Sequence, residues 1–282
     1  MIRPCRSVLF LPASNPRAVE KARSLPCDVV VLDLEDAVAP EGKSDARAAA
    51  VEAARAGEFG RRELVVRVNG LDTEWGADDL RALADAPVDA VLVPKVSGAD
   101  EVARARAAVK APVWAMIETC RAMLSLREIA AASPAALVAG TNDLAKEMRC
   151  RPGADRMPLV PLLAQIVVAA RSAGLVALDG VSNAIDDPDA VAREAEQGLR
   201  LGFDGKSLIH PSQIAPANRV FTPSADEVAW AGKVAAAFAL PENAGRGAIR
   251  VEGRMVELLH LEEARRVLAV AEGAAGGAAG ED

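Results

Sequence analysis

The sequence predicts a (β/α)8 TIM barrel, an α/β fold, with a small C-terminal lid of helices and a hairpin. Three observations carry that expectation. Eight short apolar runs recur along the chain, helix-like segments separate them, and 282 residues is near the length of one such barrel with an appendage. Alternating strand and helix patterns mean parallel strands joined by helical crossovers, and eight of them suggest closure. An open doubly wound sheet is the alternative, but no GxGxxG follows the first run to support a dinucleotide site.

The elements follow in order. The first run, 7–11, precedes Asn15-Pro16, a cap with proline at the first helical position, which predicts a helix over 15–25. Run 29–34 leads into Asp33-Leu34-Glu35-Asp36 and a helix over 43–56, whose Ala-rich body favours helix. Run 64–68 carries Arg67 and precedes a helix over 76–84. Run 90–93 ends in Pro94-Lys95 before a helix over 99–109. Run 113–117 ends in Glu118-Thr119 before a helix over 121–132. Run 136–139 ends in Gly140-Thr141-Asn142-Asp143, then a short helical segment and a longer helix over 159–173. Run 175–178 precedes a helix over 188–201, and run 207–209 ends in His210.

After that the pattern changes. Residues 211–220 suit one short helix, and 223–240 a longer one capped by Ser224. The stretch PENAGRG reads as a joint. Segments 248–251 and 254–258, separated by Glu252-Gly253, read as a hairpin, and a last helix covers 262–271. The expected division is a catalytic barrel over 1–222, a lid over 223–272 and a disordered low-complexity tail over 273–282.

Composition narrows the function. A net charge of -7 and 3% aromatics, with no Tyr, argue against nucleic-acid binding. A local cluster of Arg and Lys can still hold a small anion. Cys5, Cys27, Cys120 and Cys150 have no CxxC spacing and read as reduced thiols of a cytosolic protein. The first apolar run is broken by Pro12 and lacks the long core of a signal peptide, and no uncharged stretch suits a bilayer. A cytoplasmic protein without a membrane partner is expected.

A parallel barrel keeps its chemistry at the C-terminal ends of its strands, and that is where the charged residues fall. Asp33, Glu35 and Asp36 repel one another unless a cation shares them. Lys43 and Arg47 on the next helix could serve, which would leave a merely neutralised acidic loop. Glu118 and Asp143 end the fifth and sixth runs, and two carboxylates on adjacent strands suit Mg²⁺. Taken alone, Glu118 could bridge to Arg121 and Asp143 could cap a helix. A helix starting at GTND could also hold a carboxylate beside the metal, so that a 2-oxo acid chelates it. Arg67 on a strand inside a barrel needs anions, either substrate oxygen or a structural Asp partner. Lys95 suits an ion pair better than a Schiff base. His210 and His260 have no zinc-like spacing, and His210 reads as a structural hydrogen-bonding residue.

The segments RSVLFLPASNPRAVEKA, DVVVLDLEDAV with KSDAR, VRVN, VLVPKV, IET, GTNDLAKE, and GKSLIHPSQI with FTPSADEVAWA occur in this order over nearly the whole chain. Together they resemble the HpcH/HpaI aldolase–citrate lyase superfamily, in the branch of citrate lyase β-subunit-like proteins and malyl- or citramalyl-CoA lyases. The resemblance implies a Mg²⁺-dependent lyase, with Mn²⁺ as a substitute, that splits a 3-hydroxyacyl-CoA into a 2-oxo acid and an acyl-CoA. It implies Glu118 and Asp143 as metal ligands, with Arg67 stabilising the enolate or oxo-acid oxygen. Glu35 and Asp36 then stand beside the metal through water, with Lys43 as counter-charge. Arg17 and Lys21 become candidates for the CoA phosphates, and Asn142 for the cofactor site. Relatives in the CoA-lyase branch often carry DGxMxD in a lid that enters an adjacent subunit; here the segment is VEGRMVEL, and Glu257 takes the position of the last Asp. A homo-oligomer, trimer or hexamer, is implied. The alternatives are a citrate lyase β-like subunit that depends on an acyl-carrier partner, and a malyl-CoA thioesterase.

Overall fold

The computed structural model describes residues 4–275. The chain falls into two compact units, one spanning Cys5–Phe221 and one formed mainly by the residues from Thr222 on.

The first unit is a closed barrel of eight parallel strands in sequential order. They are β1 (Ser7–Pro12), β2 (Val29–Asp33), β3 (Glu63–Arg67), β4 (Ala90–Val93), β5 (Val113–Ile117), β6 (Ala136–Ala139), β7 (Val176–Asp179) and β8 (Gly205–Leu208). Pairing of Val8 with Ser207 joins β1 to β8 and closes the ring. The crossovers are α1 (Pro16–Ala22), α2 (Lys43–Ala56), α3 (Gly76–Leu83), α4 (Ala99–Ala108), α5 (Cys120–Leu124), α6 (Leu126–Ala131), α7 (Thr141–Met148), α8 (Val160–Ser172) and α9 (Pro188–Leu201), followed by α10 (Ile214–Phe221).

Side chains alternate along each strand, so one set fills the barrel and the other packs on the helices. Val29, Val31, Val65, Leu92, Trp114, Met116, Val138 and Leu178 form the inner cluster. Leu32, Ile117, Leu137, Leu144, Leu163 and Ile166 belong to the outer one. The sequence reading needs three adjustments in this unit. The helix expected over 121–132 breaks at Ser125, whose N–H meets the carbonyls of Arg121 and Ala122 and closes α5. Residues 211–213 form a short 3-10 turn before α10. The eighth strand starts at Gly205, two residues before the expected run.

A buried ion cluster outside the barrel wall holds β7 and β8 to α9. Arg156 binds Asp179 at 2.9 Å, and Lys206, fully buried, reaches Asp179 at 3.2 Å and Glu194 at 3.3 Å. A side chain at position 198 would meet Asp179 Oδ2 at 2.8 Å, which is why α9 carries Gly198 there. Two cations against two carboxylates leave no net buried charge, the condition under which such groups are tolerated in an interior.

The second unit contains α11 (Ala225–Ala239), the antiparallel pair β9 (Ala248–Val251) and β10 (Arg254–Glu257), and α12 (Leu258–Ala275). Ser224 and Glu227 form a capping box at the start of α11. Ala231, Val234, Ile249, Val251, Val256 and Ala264 make its small core. The last helix is longer at both ends than expected. It starts directly after Glu257 and continues through Gly273 to Ala275, where a disordered tail was expected from 273. The rest of that tail, 276–282, lies outside the described residues. No helix of the described residues is long and apolar enough to cross a membrane.

Candidate active site

Strand register assembles the site. Asp33 and Arg67 are direct partners at the ends of β2 and β3, and Ile117 and Ala139 at the ends of β5 and β6. Glu118 and Gly140 therefore follow side by side. The strand ends open into a cavity of about 370 Å³, whose lining includes Phe10, Asp33, Asp36, Arg67, Met116, Glu118, Asn142, Asp143, Val181 and Ile209.

Arg67 is the organising cation. Its Nε and Nη2 donate to the two oxygens of Asp33, each at 2.7 Å. Its Nη1 lies 3.0 Å from Glu35 Oε2 and 3.8 Å from Asp36 Oδ2, and its guanidinium stands over the Phe10 ring. Against the penalty of burial, Asp33 and then Glu35 hold the guanidinium charged. Arg67 thus makes a structural Asp bridge on one edge, while its Nη1 is turned to Glu35, Asp36 and the Met116 sulfur at the cavity. Asp33 also accepts the N–H groups of Glu35 and Ala37 at 2.9 and 3.1 Å, so the same carboxylate shapes the acidic turn.

Lys95 ties the second half together. Its ammonium forms a hydrogen-bonded ion pair with Glu35 and lies 3.6 Å from Asp36 Oδ1. Its backbone N–H donates to Glu118 Oε1 at 2.6 Å, so that oxygen's partner is Lys95 and not Arg121. Burial works to lower the Lys95 pKa, but the bond to Glu35 and its charge raise it overall. An ammonium held this way is unsuited to Schiff-base chemistry, which needs a free amine.

Glu118 is 1% exposed. Burial, then repulsion from Glu35, pushes its carboxyl up to about 7, with Asp143 adding to the effect. Glycine is required opposite it: a Cβ at position 140 would stand 2.3 Å from Glu118 Cβ and 2.6 Å from Oε2. Gly140 is the N-cap of α7, so Asp143 lies in the first helical turn and is not the cap. Asn142, beside it, exchanges amide hydrogen bonds with Asn183 at 3.2 and 2.9 Å.

The remaining expected residues lie outside the carboxylate cluster itself. Lys43 donates to the carbonyls of Leu34 and Glu35 at 2.9 and 2.7 Å, so it braces the acidic turn through backbone and does not pair with its carboxylates. Arg47 is engaged by Asp79 at 2.6 Å and takes no part. Arg17 and Lys21 are exposed on α1 and do not line the cavity. His210 caps the 3-10 turn through Ser212, a structural role. Glu257 ends β10 in the second unit, where its N–H donates to His260 Nδ1. All four cysteines are free thiols. Sequence reasoning missed the inner-barrel Phe10 and Met116 as parts of the cavity, because an apolar residue on a strand carries no local mark of which end it occupies. It also missed the Lys95 N–H, since backbone groups leave no signature in sequence.

Five carboxylates, Asp33, Glu35, Asp36, Glu118 and Asp143, stand near three cations, of which Arg67 and Lys95 pair with them and Lys43 braces the backbone. With all five ionised, two negative charges are in excess around one cavity. That excess, made of hard oxygen donors, fits a divalent Mg²⁺ ion. Among the described residues no three His, Cys, Asp or Glu side chains gather as a ready-made metal cage. Mg²⁺ on one or two carboxylates needs none, because it keeps several waters.

A parallel barrel with its ion-paired carboxylates and one facing Arg at the strand ends defines an enzyme scaffold of the TIM-barrel class. Comparison with known proteins identifies which. Residues 6–211 match the HpcH/HpaI aldolase/citrate lyase family, and the chain belongs to that family. It is 47% identical to a (3S)-malyl-CoA thioesterase of Cereibacter sphaeroides over 271 residues, covering 95% of each chain. It is 35% identical to an L-malyl-CoA/beta-methylmalyl-CoA lyase of the same species, covering 96% of this chain and 95% of that one. Among solved structures, protein CitE from Mycobacterium tuberculosis in complex with magnesium, acetoacetate and coenzyme A superposes with a TM-score of 0.78 at 34% identity, covering 96% of this chain and 98% of that one.

Proposed function

We propose that this protein is a Mg²⁺-dependent enzyme acting on a malyl-type CoA thioester, and that it hydrolyses the thioester. The observation that carries the metal and the anionic substrate is the two-charge excess of carboxylates around a cavity faced by Arg67. The preference for hydrolysis rests on the 47% identity to a malyl-CoA thioesterase along 95% of the chain. It shifts the expectation from carbon–carbon cleavage, the reaction of the lyase relative at 35%, which stays as the second reading on the same site.

Glu118 and Asp143 would hold the ion, with Glu35 and Asp36 beside it through water. Bound there, Mg²⁺ would supply positive charge to polarise substrate oxygens. The rest falls to side chains. Arg67, clamped by Asp33, presents Nη1 to an oxyanion as it develops. In hydrolysis, water adds its oxygen to the thioester carbonyl carbon and gives up a proton, the C–S bond breaks, and the CoA thiolate takes up a proton in its place. In the retro-Claisen reading, the hydroxyl proton leaves, the C–C bond breaks, and the enolate carbon is protonated. Glu257, delivered from a neighbouring subunit of a homo-oligomer, is the acid in either case. Arg17, Lys21 and Asn142 are assigned to the CoA moiety and its cofactor site.

The test is a panel of malyl-, β-methylmalyl- and citramalyl-CoA assayed with Mg²⁺ for free thiol and for oxo acid. Thiol without oxo acid establishes the thioesterase. Oxo acid without thiol establishes the lyase. Neither product from the purified chain alone would point instead to a subunit that needs an acyl-carrier partner.

A further inference from the structure

Lys95 sits just after β4 with φ +51°, in the left-handed region that non-glycine residues adopt uncommonly. The conformation has two consequences. It aims the backbone N–H at Glu118 Oε1, 2.6 Å away, and it sends the side chain to the opposite carboxylates, Glu35 and Asp36. One residue therefore engages the acidic groups of β2 and of β5 at once. The Lys95 side chain is 43% exposed, so it is not buried merely to fill space.

The geometry points to Lys95 as the positioning residue that sorts the site's carboxylates, its ammonium keeping Glu35 and Asp36 from a divalent cation while its N–H leaves Glu118 one oxygen for it. This rests on the metal reading above. Five carboxylates stand at the strand ends, more than a Mg²⁺ ion bound by one or two can use. Without a sorting device the ion has competing positions, and only one sets substrate against Arg67. Asp33 is already saturated by Arg67 and two N–H groups. Glu35 and Asp36 are the true competitors of Glu118 and Asp143, and Lys95 reaches both. A plain structural ion pair would also raise metal affinity on its removal through charge alone, but Glu35→Gln would then lower that affinity equally with and without Lys95.

Lys95→Gly separates the two functions, because glycine takes positive φ freely and keeps the N–H while losing the ammonium. In calorimetric titration with MgCl₂ at low salt, Lys95→Gly should bind the ion about fivefold tighter, the effect of deleting one unit charge nearby under water-like screening. Turnover on malyl-CoA should nonetheless fall roughly tenfold or more, since the ion is displaced from the productive place. Adding Glu35→Gln should reverse the tightening in the Lys95→Gly background, lowering metal affinity there by more than the same substitution does in the otherwise native enzyme. Lys95→Ala, which keeps the same Cβ at positive φ as the native lysine and deletes the same charge, should show the same tightening. If the glycine variant does not fold, Lys95→Gln gives the same charge deletion and the same expected tightening. Unchanged or weaker Mg²⁺ binding on deletion of the ammonium overturns the inference. The two readings fail separately: intact Mg²⁺ affinity in Glu118→Ala and Asp143→Ala removes the metal site itself, whereas its loss there, without tightening at Lys95, removes only the sorting role.

Discussion

Asp33 and Arg67 are register partners on adjacent strands, and their side chains meet in a two-point bridge with both contacts at 2.7 Å. The bridge fixes the guanidinium plane and leaves Nη1 directed at the acidic turn and the cavity. A single ammonium cannot hold Asp33 and face substrate at once. Arg67→Lys should therefore lower turnover by about two to four orders of magnitude, the scale of losing an oxyanion donor. Near-normal turnover in that variant would reduce Arg67 to a structural ion pair.

Glu118→Ala and Asp143→Ala should each abolish measurable Mg²⁺ binding in calorimetry while the circular dichroism of the barrel survives. Each removes one of few protein ligands from an ion that holds its waters tightly. A wild-type binding isotherm in either variant would assign the metal to other carboxylates.

The raised Glu118 carboxyl predicts a pH effect. Its value rises from 4.5 to about 7 on folding, chiefly through burial and then through Glu35. A group that binds its proton more tightly when folded stabilises the protein at low pH, and that contribution is lost as pH rises through the folded value. The metal-free protein should thus lose thermal stability between about pH 4.5 and 7 through this group. Glu118→Gln should remove that part of the slope. The Tm gain from added Mg²⁺ should grow across the same window, because the ligand must be ionised. A Glu118→Gln profile parallel to wild type would contradict the assignment.

Gly140→Ala should disturb the site more than the fold. The added methyl would meet Glu118 Cβ at 2.3 Å, and Glu118 must move to relieve it. Overpacking of this kind costs about 1–3 kcal/mol, and the displaced carboxylate should weaken Mg²⁺ binding at least as much as stability. Unaltered metal affinity would show that Glu118 is free to shift without consequence.

Glu257 should matter to chemistry and little to the barrel, since it ends β10 in the second compact unit. Glu257→Gln should lower turnover with Mg²⁺ binding and Tm near wild type, and Glu257→Asp should keep substantial activity. Mixing inactive Glu257→Gln with inactive Asp143→Ala should restore part of the activity if the acid acts across a subunit boundary. No recovery despite demonstrated subunit exchange would place Glu257 within its own chain's reaction or outside it.

What the sequence determined by itself was the set of elements and the end of the barrel where chemistry lies. Apolar runs of strand length, separated by Ala-rich helical segments, specify parallel strands with crossovers through local patterning alone. The end of run two and the positions following runs five and six put Asp33, Glu118 and Asp143 at the C-terminal rim, so those residues were legible one by one. Element ends were less so. The break at Ser125 and the reach of α12 to Ala275 depend on which carbonyls find partners, a matter of local closure that residue type does not specify.

Only the tertiary structure decided who neutralises whom. Sequence proximity offered Lys43 and Arg47 to the acidic turn, yet barrel closure gave Arg47 to Asp79 and turned Lys43 onto two carbonyls. The effective cations came from farther away: Arg67 is 34 positions from Asp33, and Lys95 is 60 from Glu35. The buried cluster of Arg156, Asp179, Glu194 and Lys206 was likewise invisible before folding. Helix and strand preference act over a few residues, and a pattern in sequence records them. An ion pair forms wherever register and ring closure bring opposite charges within a few ångströms, and that distance exists only once all eight strands are in place.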